Sequence, residues 1–201
     1  MKTSMGQIQC TGTGNYINDQ SEHCQDNPLL IIKGECSSAK KQALLEDGND
    51  TWTQFFVPEV LCIPEQKPDI EELMSVTARV VIISQRLVRT PSYDGGPIEN
   101  QEGTFVTGRK LIIEGILRQK VMYTACNEEQ SVHTAHFDVP FSAFIIIPAD
   151  EPLNTRYKID SCIEDIFISR VTDRQIFKNV TLFLKATKLT CPTASTPTPE
   201  G

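Results

Sequence analysis

The sequence is short of positive charge, of histidine and of tryptophan. It has 19 Lys and Arg against 26 Asp and Glu, three histidines and one tryptophan, for a net charge of -7 at neutral pH. Such a balance leaves few cations to displace counterions from a phosphate backbone. No basic stripe interleaved with aromatics offsets it, so nucleic acid is not an expected partner. Apolar runs are short as well. None approaches the roughly eighteen residues that cross a bilayer, and the longest, from Phe141 to Pro148, has the length of a strand. The segment Met1–Cys10, MKTSMGQIQC, lacks the apolar core of a secretory signal. The expectation is a chain made in a cytoplasm, not exported by the general route, with no membrane partner.

Catalytic and metal signatures are equally scarce. No glycine-rich phosphate loop precedes a helical pattern and no GxSxG elbow occurs. His133 and His136 in HTAH resemble a metal pair, but three positions along a strand put the two rings on opposite faces. The acidic runs at Asp69–Glu72 and Glu99–Glu102 lack the alternating oxygen ligands and central glycine of a calcium loop. Cys126 near His133 carries no family signature of a cysteine nucleophile, which favours a structural cysteine. Clustered aromatics or paired carboxylates that would suit a carbohydrate site are not displayed. No catalytic residue, no cofactor and no metal ligand are therefore expected.

Present in quantity are apolar residues, 39% of 201, enough for a substantial core. Seven cysteines are also present: Cys10, Cys24, Cys36, Cys62, Cys126, Cys162 and Cys191. None has CxxC spacing, and Cys24 and Cys36 lack the second pair that a four-ligand zinc site needs. An odd count leaves at least one thiol over, which reads either as ordinary buried cysteines or as links between chains. Cys10, Cys24 and Cys191 lie near the ends of the chain, where a flexible arm can meet the narrow geometry of a disulfide, and are the expected interchain partners. Cys62 and Cys162 lie in or near apolar β segments and are expected as buried thiols.

The pattern is β throughout. Alternating or β-branched runs predict strands near 76–88, 109–123, 131–147, 163–171 and 175–188, and β character at Thr51–Ile63. Leu117, Gln119 and Val121 alternate against Ile116, Arg118 and Lys120, and even positions from 176 to 184 face inward. A serine start and good helix formers predict one short helix within Ser37–Glu46. Residues 1–50 then form an N-terminal arm with that helix and a short strand, 51–189 a β domain, and 190–201 a Thr/Pro-rich tail that cannot pack alone. Within the arm, Leu29, Leu30, Ile31 and Ile32 form an isolated β run and the candidate assembly strand. Thr90–Gly108 is unusually long for a loop inside a compact domain. It is either a solvated connector or a contact loop through Tyr93, Gly95, Gly96 and Pro97.

An internal repeat emerges from the prolines. Val57-Pro58, Pro64, Pro68 and the strand from Val76 lie alongside Val139-Pro140, Pro148, Pro152 and the strand from Ile163, with a two-residue difference in the first spacing. Because proline cannot donate to a central ladder, each such segment belongs at a sheet edge or a crossover. Two antiparallel sheets packed as a β-sandwich, with extended N- and C-terminal arms, follow from this pattern.

Four stretches carry a family resemblance: VPEVLCIPEQKPDIEELMSVTARVVI (57–82), GPIENQEGTF (96–105), TGRKLIIEG (107–115) and SVHTAHFDVPF (131–141). Over about Phe55–Lys188 the chain resembles the SPOCS domain of clostridial spore proteins. The resemblance implies a β-rich, non-catalytic module of spore coat, exosporium or appendage proteins and of spore morphogenetic factors. The resulting expectation is a structural subunit at the spore surface, made in the mother-cell cytoplasm, that polymerises with itself through strand or arm exchange and interchain disulfides. The resemblance equally permits an adaptor that binds another coat or exosporium protein. The polymer contact is expected to be head to tail, with the arm adding a strand to an exposed sheet edge of the next subunit.

Overall fold

The structure is a computed structural model that describes residues 30–46, 48, 51–91, 98–99 and 105–189. In chain order the elements are β1 (Ile31–Lys33), α1 (Ser38–Leu45), β2 (Trp52–Cys62), β3 (Ile70–Arg89), β4 (Ile98–Glu99), β5 (Phe105–Val106), β6 (Arg109–Ala125), β7 (Val132–Ile146), β8 (Tyr157–Arg170) and β9 (Gln175–Lys188). One sheet has the order β1-β3-β6-β7 and the other β2-β9-β8. The pairs are antiparallel except β1–β3, which is parallel. The mainly β, two-sheet architecture is the one the alternation predicts. β4 and β5 add a two-stranded ladder within the long 90–108 connection.

The core lies between the sheets and follows period two. On β6 the odd positions Leu111, Ile113, Leu117 and Val121 are buried, and on β9 the even positions Ile176, Val180, Leu182 and Leu184. Each such side chain contributes on the order of 1.5–3 kcal/mol on leaving water, so a one-residue slip in either strand would expose its whole inward set.

The repeat is realised as an exchange of edge strands. The β3–β6 hairpin carries β7 on its β6 side, while the β8–β9 hairpin carries β2 on its β9 side. Each Pro-containing strand therefore leaves its own hairpin and completes the other sheet. Both are edge strands, as the missing donors of Pro58 and Pro140 require. The following Ile-Pro steps match too. Ile63 N donates to Arg174 O at 2.9 Å and Ile147 N to Arg109 O at 3.3 Å, and both prolines open turns, Lys67 N to Pro64 O at 2.9 Å and Glu151 N to Pro148 O at 3.2 Å. An arginine caps each turn. Arg174 donates to the carbonyls of Pro64 (2.8 Å) and Lys67 (3.2 Å), and Arg109 Nε to that of Glu151 (3.4 Å).

Candidate interaction surfaces

The stretch from Leu30 to Glu46 is a strap across the β3–β8 side of the molecule. β1 pairs with β3 at Ser75–Thr77, and Cys36 N then donates to Ile163 O on β8 at 2.8 Å. Gly34 sits between them at φ +117°, where a Cβ would lie 2.0 Å from Ala78 O, so only glycine lets the strap lie this close. α1 starts at Ser37, whose Oγ accepts from Lys40 N at 3.2 Å. The helix buries no side chain of its own. It is held by contacts to the outer face of the second sheet: Lys185 Nζ donates to Leu44 O, Lys41 pairs with Glu164, and Lys40 Nζ donates to Ser161 O at 3.2 Å.

This strap changes two expectations. Cys162 is buried as expected, but it is a disulfide to Cys36, with Cα atoms 5.4 Å apart, and not a thiol. Its side chain points outward from β8, opposite Phe183, and is buried because the strap brings a second sulfur over it. A bond across 126 residues constrains the unfolded chain by about 2–5 kcal/mol. Cys62 likewise is disulfide-bonded rather than a free buried thiol. The candidate assembly strand also differs from a free donor. Leu30 packs against the core, while Ile31 and Ile32 are exposed on a strand already paired with its own chain's β3. Leu29, the contact-loop residues Tyr93, Gly95, Gly96 and Pro97, and the expected interchain cysteines Cys10, Cys24 and Cys191 lie outside the described residues.

The two outer faces differ, that of the first sheet mixing charged side chains with exposed Val132 and Phe144. On β6 and its neighbours Arg79 lies opposite Arg118, Lys120 opposite His136, and Arg118 pairs with Asp138 at 3.4 Å. On the β2-β9-β8 sheet α1 covers only one half, where Trp52 stacks on Phe183 at 5.7 Å. Over the other half Phe56 is 66% exposed, Val60 55% and Phe167 53%, with Phe177 leaning on Phe167 at 6.1 Å. Val60 lies opposite Phe177, and Pro58 opposite Asn179, which is opposite Phe167, so these residues form one continuous patch.

Between the sheets lies a polar cluster that alternation alone did not single out. Lys178 is fully buried at an inward even position of β9 and pairs with Glu59 of β2. Gln119 Nε2, from the opposite sheet, donates to the same carboxylate at 2.6 Å. Burial pushes the Lys178 ammonium below its ordinary value, against the opposing pull of Glu59. The even-position rule places Lys178 inside, and that conflict with its charge was the available signal. At another corner Glu151 accepts from Lys188 at 2.7 Å and Thr155 at 2.5 Å, and these hydrogen bonds lower its pKa. Burial, with Glu151 nearby, raises Tyr157 to about 12.

His133 stacks on Tyr123 and bonds Ser131 Oγ at 3.0 Å, whereas His136 is exposed on the other face, so the two rings are not brought together. Cys126 is free and exposed. Among the described residues no His, Cys, Asp and Glu cluster could hold a metal ion, and no helix is long and apolar enough to cross a membrane. An open concavity along α1 is lined by helix residues alone, and a more enclosed one lies at Tyr157 and Leu189.

A family model described as SipL, SPOCS domain matches residues 69–171, just over half of the chain, from the start of β3 to the end of β8. No curated protein and no solved structure matches.

Proposed function

From the premise that this chain belongs to the SPOCS-domain family and is sporulation-related, we propose that it is a non-catalytic, self-assembling subunit of a spore surface layer or spore appendage. The observation that carries the reading is the exposed apolar half-face formed by Phe56, Val60, Phe167 and Phe177, over which α1 does not extend. Contiguous exposed apolar side chains on a charged, acidic chain mark a contact surface rather than a reaction site. The exposed thiol of Cys126 supplies a group that can link neighbours once a mother cell has lysed and its contents meet an oxidising environment. In an assembly, the N-terminal arm of one subunit packs on its neighbour and the contact propagates head to tail. Negative-stain microscopy of the full chain, with and without reductant, tests this. Ordered fibres or sheets are expected. A monodisperse monomer that instead captures another purified coat protein would replace this reading with that of an adaptor.

A further inference from the structure

The apolar half-face ends at Cys62. Along β2 the residues Trp52, Gln54, Phe56, Pro58 and Val60 point outward and are exposed, and Cys62 continues the same alternation with no bulge against β9. Unlike them it is half-buried, and it is disulfide-bonded. Its partner is none of the other described cysteines, because Cys36 and Cys162 bond each other and Cys126 is free. That leaves Cys10, Cys24 and Cys191.

Distance removes one of them. Cys62 lies opposite Gln175, the first residue of β9, while Leu189, held by Arg156 O at 2.9 Å, follows the last. These ends are about 40 Å apart along the strand, and Cys191, two positions past Leu189, can reach about 7 Å further. The N-terminal side is placed well. β1 runs parallel to β3 with Ile31 opposite Ser75, so the N-terminal end of β1 is the one nearer the Ile70 end of β3. There Ile70 N donates to Asp173 O at 2.7 Å, and Ile63, the neighbour of Cys62, donates to Arg174 O at 2.9 Å. Back from Ser75 to Ile70 is about 17 Å, and the six residues from Cys24 to Leu30 span up to about 20 Å.

We propose that residues 1–29 of the same chain are seated on the apolar half-face of Phe56, Val60, Phe167 and Phe177, pinned there by a Cys62 disulfide to Cys24 or Cys10. The pinned segment covers an otherwise exposed apolar surface, much as the 30–46 strap covers the other half of the same sheet with its own disulfide. This rests on the assembly reading and refines it: in the free monomer the chain's own arm holds the half-face, and a neighbour reaches that face only by taking the arm's place. It depends on a linkage within one chain, which fibre formation does not require, so the two can fail separately.

The test is peptide mapping of the size-selected, full-length monomer, alkylated without reduction, from a mixture of isotope-labelled and unlabelled chains. A Cys62 peptide joined to the Cys24 or Cys10 peptide of like label supports the proposal. Alkylated Cys62, a link to Cys191 or Cys126, or links of mixed label overturn it, the last in favour of a neighbour's arm. Seating is read separately by limited chymotryptic cleavage at Tyr16. Phe56→Ser with Val60→Ser, both at exposed positions, should leave the linkage intact and speed that cleavage about tenfold. An unchanged rate would show that the segment is tethered but not packed on this face.

Discussion

Glu59 and Phe141 stand at the same place in the two halves of this molecule. Each directly follows a Val-Pro step, each lies on an exchanged edge strand, and each is paired across from a buried residue of the neighbouring strand, Lys178 for Glu59 and Gly115 for Phe141. The third strand agrees, with Ile168 opposite Lys178 and Ile82 opposite Gly115. One half fills this position with an ion pair that Gln119 completes, the other with an aromatic ring over a glycine, tilted against Phe55 at 5.6 Å. The shared frame shows that backbone pairing and the proline turns define the repeat. What occupies the space between the sheets is free to differ, provided volume and charge are balanced inside each half.

The largest expected effect comes from unbalancing the polar half. Glu59→Ala leaves a buried ammonium without its partner and should cost about 3–5 kcal/mol in urea denaturation. With the raising influence of Glu59 gone, Lys178 is driven further down. Because its folded pKa then lies below the unfolded one, the variant should regain stability as pH rises from that depressed value towards 10.5. Replacing both partners, Lys178→Met with Glu59→Leu, should make the polar half resemble its apolar counterpart and be neutral or stabilising by about 1–4 kcal/mol. A loss as large as that of the single variant would mean that the two halves are not interchangeable at this position.

Gly115→Ala probes the apolar half. A Cβ there would meet Phe141 Cζ at 2.4 Å and Val81 O at 2.9 Å. The ring can turn but the carbonyl cannot, so a loss of about 1–3 kcal/mol is expected from overpacking. A stability equal to wild type would show that the ring does not rest on the glycine.

The smallest effect belongs to the turns. The two are capped alike by Arg174 and Arg109, but only the second adds Glu151 held by Lys188 and Thr155. Hydrogen bonds hold Glu151 below its ordinary value, so its contribution is present above the usual carboxylate range and is lost as pH falls through the lowered pKa. Lys188→Met should lower the urea midpoint near neutrality and leave it unchanged below the lowered pKa, which flattens its dependence on pH across that acid window. An unaltered acid slope would assign the dependence to other carboxylates.

Much of this fold was legible in the sequence because β structure with one buried face writes period two into the chain. The strand at 175–188 and the helix within Ser37–Glu46 stand where alternation and capping put them. The prolines foretold edge strands because a missing donor is a local property. The exchange of those strands between hairpins was not legible, since pairing partners depend on which hairpin a connector reaches and not on any residue within it.

Of the candidate site residues, the sequence could state that the end-proximal cysteines have reach and that Ile31 and Ile32 want a ladder, but not whose ladder. Composition, alternation, caps and proline positions are local, and they alone determined a mainly β, two-sheet chain; the SPOCS resemblance lay in the four matched stretches. Contacts between distant segments decided the rest: the Cys36–Cys162 disulfide across 126 residues, the burial of Lys178 beside Glu59 and Gln119, and the apolar half-face that α1 leaves uncovered. These depend on how the chain folds back over itself, because a side chain's burial and its partner are properties of the space around it and not of its neighbours in sequence.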